Sequence, residues 1–206
     1  LVIKEALLAI KKDLLALKDD LPAIKEELQG SGEDKVKSIV IFEKSVNLGH
    51  SSVVKKSKFS SAVFARKAYF FFFKCGENAY FDSARFRGNS NFFFSKFNEE
   101  ANFSSAEFVK EVDFSYANFD REANFSSAEI GGKANFSSAE IMGDADFPSV
   151  KFSENASFFS TKIGGKANFS SAEIGGKANF SSAEIMGDTD FPSVKFSENA
   201  SFFSTK

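Results

Sequence analysis

Tryptophan is absent from the 206 residues, cysteine and histidine occur once each, methionine twice and proline three times. Each scarcity removes a class of function. One cysteine, Cys75, leaves no disulfide framework within a chain. One histidine, His50, leaves no His-based triad or dyad and no His-cluster metal site. No apolar run approaches the ~20 residues of a membrane-spanning helix, and no secretory apolar core is present. No membrane partner is therefore expected. Leu1 stands where an initiator Met would, so the N-terminus is expected to be incomplete. The pairs Gly131-Gly132, Gly164-Gly165 and Gly175-Gly176 lack the strand-to-helix setting and the Lys-Ser/Thr of a phosphate loop, and read as corner turns. No catalytic residue, cofactor or metal site is expected.

Phenylalanine, by contrast, occurs 29 times, far above ordinary usage. From Phe42 to Phe202 every fifth and sixth residue, alternately, is apolar. The series has thirty positions, twenty-two of them Phe, among them Phe103, Phe108, Phe125, Phe136, Phe169 and Phe202. Two residues earlier the chain usually places a small residue, as with Ala101 before Phe103 and Val112 before Phe114. A lock of this length between large and small apolar residues specifies a solenoid core. It commits almost every residue to the repeat, which argues against an enzyme. Cys75 takes a ladder position and reads as a small buried hydrophobe. The tripeptide Asn-Phe-Ser recurs at Asn102, Asn124, Asn135, Asn168 and Asn179. Each would accept a glycan in a eukaryotic secretory route. Glycans so dense would crowd a packed surface, which favours a cytoplasmic or bacterial setting.

Residues 1–29 follow a different rule. Ile3, Leu7, Ile10, Leu14, Leu17, Leu21, Ile24 and Leu28 keep a 4-3 spacing, the seam of a heptad. With the second, fourth, sixth and eighth of these at a, the e positions are all Lys and the later g positions acidic. Asp13 then meets Lys18, and Asp20 meets Lys25, across a parallel interface. An antiparallel pair would set Lys against Lys. Leu at a with Ile at d leans to trimers or tetramers. The alternative is a helix folded back on the solenoid: Leu8 and Leu15 widen the apolar face, and Pro22 interrupts the helix. Residues 30–38 read as a linker opening on Gly30-Ser31-Gly32, and 39–206 as the solenoid.

The repeating unit, Ala-Asn-Phe-Ser-Ser-Ala-Glu-Ile at 134–141 preceded by Ile130-Gly131-Gly132-Lys133, resembles the pentapeptide-repeat family in a variant whose five-residue steps alternate with six. The resemblance covers about Phe42 to Lys206. It implies a right-handed, four-sided β-helix whose inward pairs are the large residue and the small one before it, as in Phe125/Ala123 and Phe169/Ala167. The additional residue in every second step gives 22 residues per coil. Charges support that pitch. At a spacing of 22, Glu129, Lys151, Glu173, Lys195 and Glu140, Lys162, Glu184, Lys206 alternate in sign, as do Asp144, Lys166, Asp188. At a spacing of 11, Glu129 would stack on Glu140, which is repulsive. The fold expected is thus an all-β quadrilateral solenoid preceded by an N-terminal α-helix or coiled coil. Residues 130–162 and 174–206 differ only at Ala145/Thr189, a shift of two coils. The pattern stops at Lys206 without a cap, so either the array is longer or the open end stacks on another molecule.

One corner breaks the polar rule. The residue pairs following positions 48, 70, 92 and 114 are Gly49-His50, Phe71-Phe72, Phe93-Phe94 and Ser115-Tyr116. At 22 per coil they form one outward stripe, and an exposed aromatic patch marks an interface. His50, Phe71, Phe72, Phe93, Phe94 and Tyr116 are the candidate partner-binding residues, with residues 1–29 of the same or another chain, or a separate protein, as occupant. Some members of the resembled family imitate a DNA duplex toward type II topoisomerases. Residues 36–206 carry 20 Lys and Arg against 20 Asp and Glu, whereas such mimicry needs a strongly acidic field and nucleic-acid binding a basic one. No nucleic-acid partner is expected. Regular Thr arrays of the kind an ice-binding surface would want are missing. The leading expectation is a scaffold rod that oligomerises through its N-terminal helix; the alternative is a protein-binding module acting through the stripe.

Overall fold

The computed structural model describes residues 40–206. The helix, heptad seam and linker expected over 1–38 lie outside the described residues. The remainder is a right-handed β-solenoid of about seven coils. Thirty two-residue strands, from Ile41–Phe42 to Ala200–Ser201, are distributed over four parallel sheets of eight, eight, seven and seven strands. Each sheet is one face of the rod. The first face starts at Ile41–Phe42, the second at Val46–Asn47, the third at Ser52–Val53 and the fourth at Ser57–Lys58. Every pairing is 22 residues apart, as in Phe42↔Phe64, Ala68↔Ser90, Lys96↔Asn118 and Ala101↔Ala123. The pitch inferred from charge is therefore the pitch of the backbone.

Phenylalanine suits this core because a ring stacks at the spacing of a strand. Phe81, Phe103, Phe125, Phe147 and Phe169 form a column with centroids 4.8–4.9 Å apart and planes within 3°, matching the ~4.8 Å between parallel strands. A second column runs Phe70, Phe92, Phe114, Phe136, Phe158, Phe180, Phe202. The two columns meet edge to face, Phe70 to Phe81 at 5.4 Å and 88°, the arrangement that ring quadrupoles favour. Phe103, Phe108, Phe125, Phe136 and Phe169 are fully buried as expected. Phe202 stacks on Phe180 but is 45% exposed, and beside it Phe203 is more so.

Cys75 is buried, yet its slot hides an exchange that the ladder concealed. In the third face the small slot holds Phe73 and the large slot holds Cys75. Phe73 fills the space between Phe70, at 5.5 Å, and Phe97, at 6.3 Å. Volume is conserved across the pair rather than at each position.

Two kinds of corner alternate. After positions 48, 59, 70 and so on, the amide of the third residue donates back to the ladder residue in fourteen of the fifteen turns, as Ala84 N to Phe81 O at 3.0 Å. The residue before that donor has positive φ in all fifteen such turns, none of them glycine. This is the type II signature, which normally asks for Gly or Asn. A left-handed residue costs ~1–2 kcal/mol; here it directs its own amide along the rod, as Ser83 N to Ser104 O at 2.8 Å. The other corners carry the additional residue of the six-step. Several of their glycines answer to crowding: a Cβ on Gly76 would come within 2.6 Å of the Val54 carbonyl oxygen one coil below.

Candidate functional site

The Asn-Phe-Ser motif has a structural explanation that its reading as a glycan acceptor missed. Asn Oδ1 accepts the amide two residues on, from Ser104 to Asn102 at 2.9 Å and likewise at Asn124, Asn135, Asn168 and Asn179. The asparagine sits beside the buried Phe and holds the amide that enters the turn. Asn47, Asn91 and Asp113 do the same for Gly49, Phe93 and Ser115. The aromatic corner is thus mounted on hydrogen-bonded turns.

That corner assembles as one surface. His50, Phe72, Phe94 and Tyr116 stack in a column, at 4.9, 5.3 and 4.9 Å with planes within 9°. Phe72, Phe94 and Tyr116 are 46%, 44% and 50% exposed, and His50 is exposed as well. Phe71 and Phe93, half-buried, do not continue the stack; each turns edge-on to it. Phe71 meets His50 at 5.2 Å and Phe93 meets Phe94 at 4.6 Å. The Phe71 ring lies over Gly49, where an added Cβ would overlap it. Tyr69, which the sequence pattern did not single out, packs its ring against Phe71 at 6.2 Å. The faces of the stacked rings are occupied by one another, so the column presents ring edges outward.

The left-handed turns provide an internal control. Eleven of the fifteen positive-φ positions are Ser; the exceptions are His50, Phe72, Phe94 and Tyr116. In the same coils the opposite corner keeps Ser61, Ser83, Ser105 and Ser127 in the same conformation. The turn itself therefore does not require aromatics. A stacked ring pair contributes ~0.5–1.5 kcal/mol, no more than the strain of a left-handed residue, so stacking offsets strain without accounting for the exposed apolar edges.

The charge ladders follow the expected columns. Lys151 reaches Glu129 at 3.7 Å, Lys195 reaches Glu173 at 2.7 Å, and Lys162 reaches Glu140 at 3.6 Å. Hydrogen bonding to Lys195 holds the Glu173 carboxyl below its usual range, and the same contact raises Lys195. In the third column the Lys166 amide donates to Asp144, but its ammonium binds Asp190 rather than Asp188. Alternation fails in the earlier coils, where Glu107 lies on Glu129 and Lys74 on Lys96. Glu122 is raised above the usual carboxylate range, first by partial burial and then by Asp146, Glu100 and Asp144. Among the described residues, no three His, Cys, Asp or Glu side chains are grouped to hold a metal.

A four-sided parallel solenoid with one Phe-centred strand per side defines a class of repeat protein. Residues 81–129 and 114–162 match the family model described as pentapeptide repeats (9 copies), and the chain is a pentapeptide-repeat protein. No curated protein and no solved structure matches it.

Proposed function

We propose that this protein is a non-enzymatic scaffold, a rigid rod joined into a parallel trimer or tetramer through residues 1–29. The uninterrupted ring columns along the rod support this reading: they spend the interior on rigidity. The heptad supplies the oligomeriser. Light scattering on the full chain and on residues 33–206 tests it. A trimer or tetramer that becomes monomeric without the N-terminal segment is expected; two monomers would refute the stalk.

A second reading, a protein-binding module, is favoured by the aromatic column at a corner where the fold asks only for serine. Replacing Phe72 and Phe94 with Ser removes the exposed rings and keeps the turns. Unchanged association of the variant would remove the corner from consideration.

A further inference from the structure

The two corners built on left-handed turns lie diagonally across the rod, and they differ. The corner between the fourth and first faces carries Ser60-Ser61, Asp82-Ser83, Ser104-Ser105 and Ser126-Ser127, then Pro148-Ser149, with no exposed aromatic ring among the described residues. The corner between the second and third faces carries the rings. They do not end at Tyr116: Phe159 and Phe203 are exposed on the same corner two and four coils further on. The apolar ridge therefore runs the length of the rod and is densest over the first four coils.

Across the second face from the rings lies a cationic edge, where the chain turns from the first face to the second. Arg66, Lys67, Arg87, Lys110, Lys133 and Lys177 are exposed there, and none belongs to an ion pair among the described residues. On the first and third faces, by contrast, Lys151, Lys162 and Lys195 are tied to glutamates one coil away. Arg66, Lys67 and Arg87 stand in the same coils as Phe71, Phe72, Phe93 and Phe94. Between edge and rings the second face projects Asn, Ser and Tyr69, with a single charge, Asp113. The cationic edge, the second face and the aromatic corner together hold seven Lys and Arg against five Asp and Glu. The fourth face with its two bounding corners holds five against ten. Charge is thus divided across the rod, and the ridge borders the cationic side.

From this arrangement we infer that the second face and its aromatic corner lie on an anionic lipid bilayer. The ring edges enter the boundary between headgroups and acyl chains. Arg66, Lys67 and Arg87 reach the headgroup phosphates, with their stems along the apolar boundary. The uncharged Asn and Ser positions between them face the headgroup layer. The surface is straight, since eight strands at ~4.8 Å extend about 35 Å, and suits a planar partner. The acidic side centred on the fourth face then points to water, away from charge of its own sign. A nucleic acid would use the cations but not the rings, whose faces are stacked on one another and leave none for a base. Such a contact needs no membrane-spanning helix, and none of the described residues forms one. The inference rests on the corner of the second reading, gives it a lipid surface instead of a protein, and is independent of the stalk.

Co-sedimentation of the full chain with vesicles tests this. Vesicles of phosphatidylserine and phosphatidylcholine in equal parts should bind it at about 0.1 M salt and release it near 1 M, where screening shortens from about 10 Å to about 3 Å. Vesicles of phosphatidylcholine alone should bind far less. A basic side chain near an anionic leaflet is worth roughly fivefold in binding, so Arg66→Glu with Arg87→Glu should weaken it by roughly tenfold or more. Phe72→Ser with Phe94→Ser should weaken it similarly, because the turns accept Ser and only the rings are lost. Lys55→Glu with Lys56→Glu makes the same change of charge at the edge of the fourth face and should leave binding nearly unchanged. Circular dichroism confirms the solenoid in each variant. A dye on Ser137→Cys, at the aromatic corner, should be quenched by brominated lipid, and one on Ser126→Cys, at the opposite corner, should not; the native Cys75 is buried. A chain that ignores anionic vesicles overturns the inference, as does binding indifferent to the ring and arginine variants, which would place it on residues 1–29. Equal loss in the Lys55/Lys56 variant, or binding of duplex DNA through Arg66 and Arg87 without vesicle binding, overturns it as well. Failure of the protein-binding reading is separate: the ring variant would then lose vesicles while its association with other protein chains stayed unchanged.

Discussion

Exchanging Phe73 and Cys75 in size tests whether the core is specified by volume per coil or by residue at each slot. Phe73 is fully buried and touches Phe70 and Phe97. Phe73→Ala should cost about 4 kcal/mol, within the range of ~3–5 for a buried Phe, because sheet walls held at strand spacing cannot collapse into the hole. Cys75→Phe alone drives a second ring into filled space, at ~1–3 kcal/mol or more. Together they recreate the arrangement one coil on, where Ser95 precedes Phe97, and two coils on, where Ala117 precedes Phe119. The double variant should lie within about 1 kcal/mol of the parent. The resulting coupling of roughly 4 kcal/mol or more exceeds the ~0.5–3 usual for neighbours.

Urea unfolding followed by circular dichroism gives the three stabilities. A solenoid can unfold in sections, so amide exchange supplies the local reading. The amides of Lys96 and Asn98 donate to the Phe73 and Cys75 carbonyls at 2.7 and 3.0 Å. They should lose protection in each single variant and regain it in the double. A double variant as unstable as the two losses added would refute the volume argument. So would a neutral Phe73→Ala.

Three further outcomes follow from the geometry. Ser90 and Ser95 bury hydroxyls that have no hydrogen-bond partner, so Ser90→Ala and Ser95→Ala should each raise stability by ~1 kcal/mol, read by urea melts. Glu122 has a folded-state pKa above its unfolded one, so its ionised form opposes folding; Glu122→Gln should raise the melting temperature at pH 7, and the gain should fade as pH drops through the raised folded value toward the ordinary one and below. Ser127 has a φ of 56°, so Ser127→Val should destabilise by ~2 kcal/mol while Ser127→Gly stays within ~1, compared by thermal melts.

The pitch, the faces and the inward pairs were legible because they rest on two periodic signals, apolar size and charge sign, that share one period. The corner residues His50, Phe72, Phe94 and Tyr116 could be placed in one column for the same reason. What escaped left no mark on apolar size or charge sign. The exchange of Phe73 and Cys75 satisfies the ladder at each position, since Cys is apolar and Phe is merely large. The positive-φ turns were invisible because Ser, unlike Gly, does not advertise a left-handed backbone. The asparagine clamps were not visible because Asn-Phe-Ser spells a glycan acceptor as readily as a turn clamp, and only the geometry of Asn102 Oδ1 on the Ser104 amide reveals the clamp. The uneven placing of charge along the chain, ten Lys and Arg against three Asp and Glu over 40–98 and nine against seventeen over 99–206, was hidden by the sum over 36–206.

The internal duplication explains where the ladders alternate and where they do not. Glu129–Lys151, Glu140–Lys162 and Glu173–Lys195 all lie in the later coils, which contain the repeated segments 130–162 and 174–206. There a pattern that alternates every coil survives a shift of two coils unchanged, so duplication copies the ion pairs intact. The earlier coils have no such copy and keep Lys74 on Lys96, with Arg66 and Lys67 at one corner. An exposed like-charge contact costs only a fraction of a kcal/mol, so stability alone would neither purge nor retain it. Its coincidence with aromatic rings on turns that take serine elsewhere is the stronger observation. Two features that each work against the isolated rod, a like-charge contact and exposed rings, occupy the same coils.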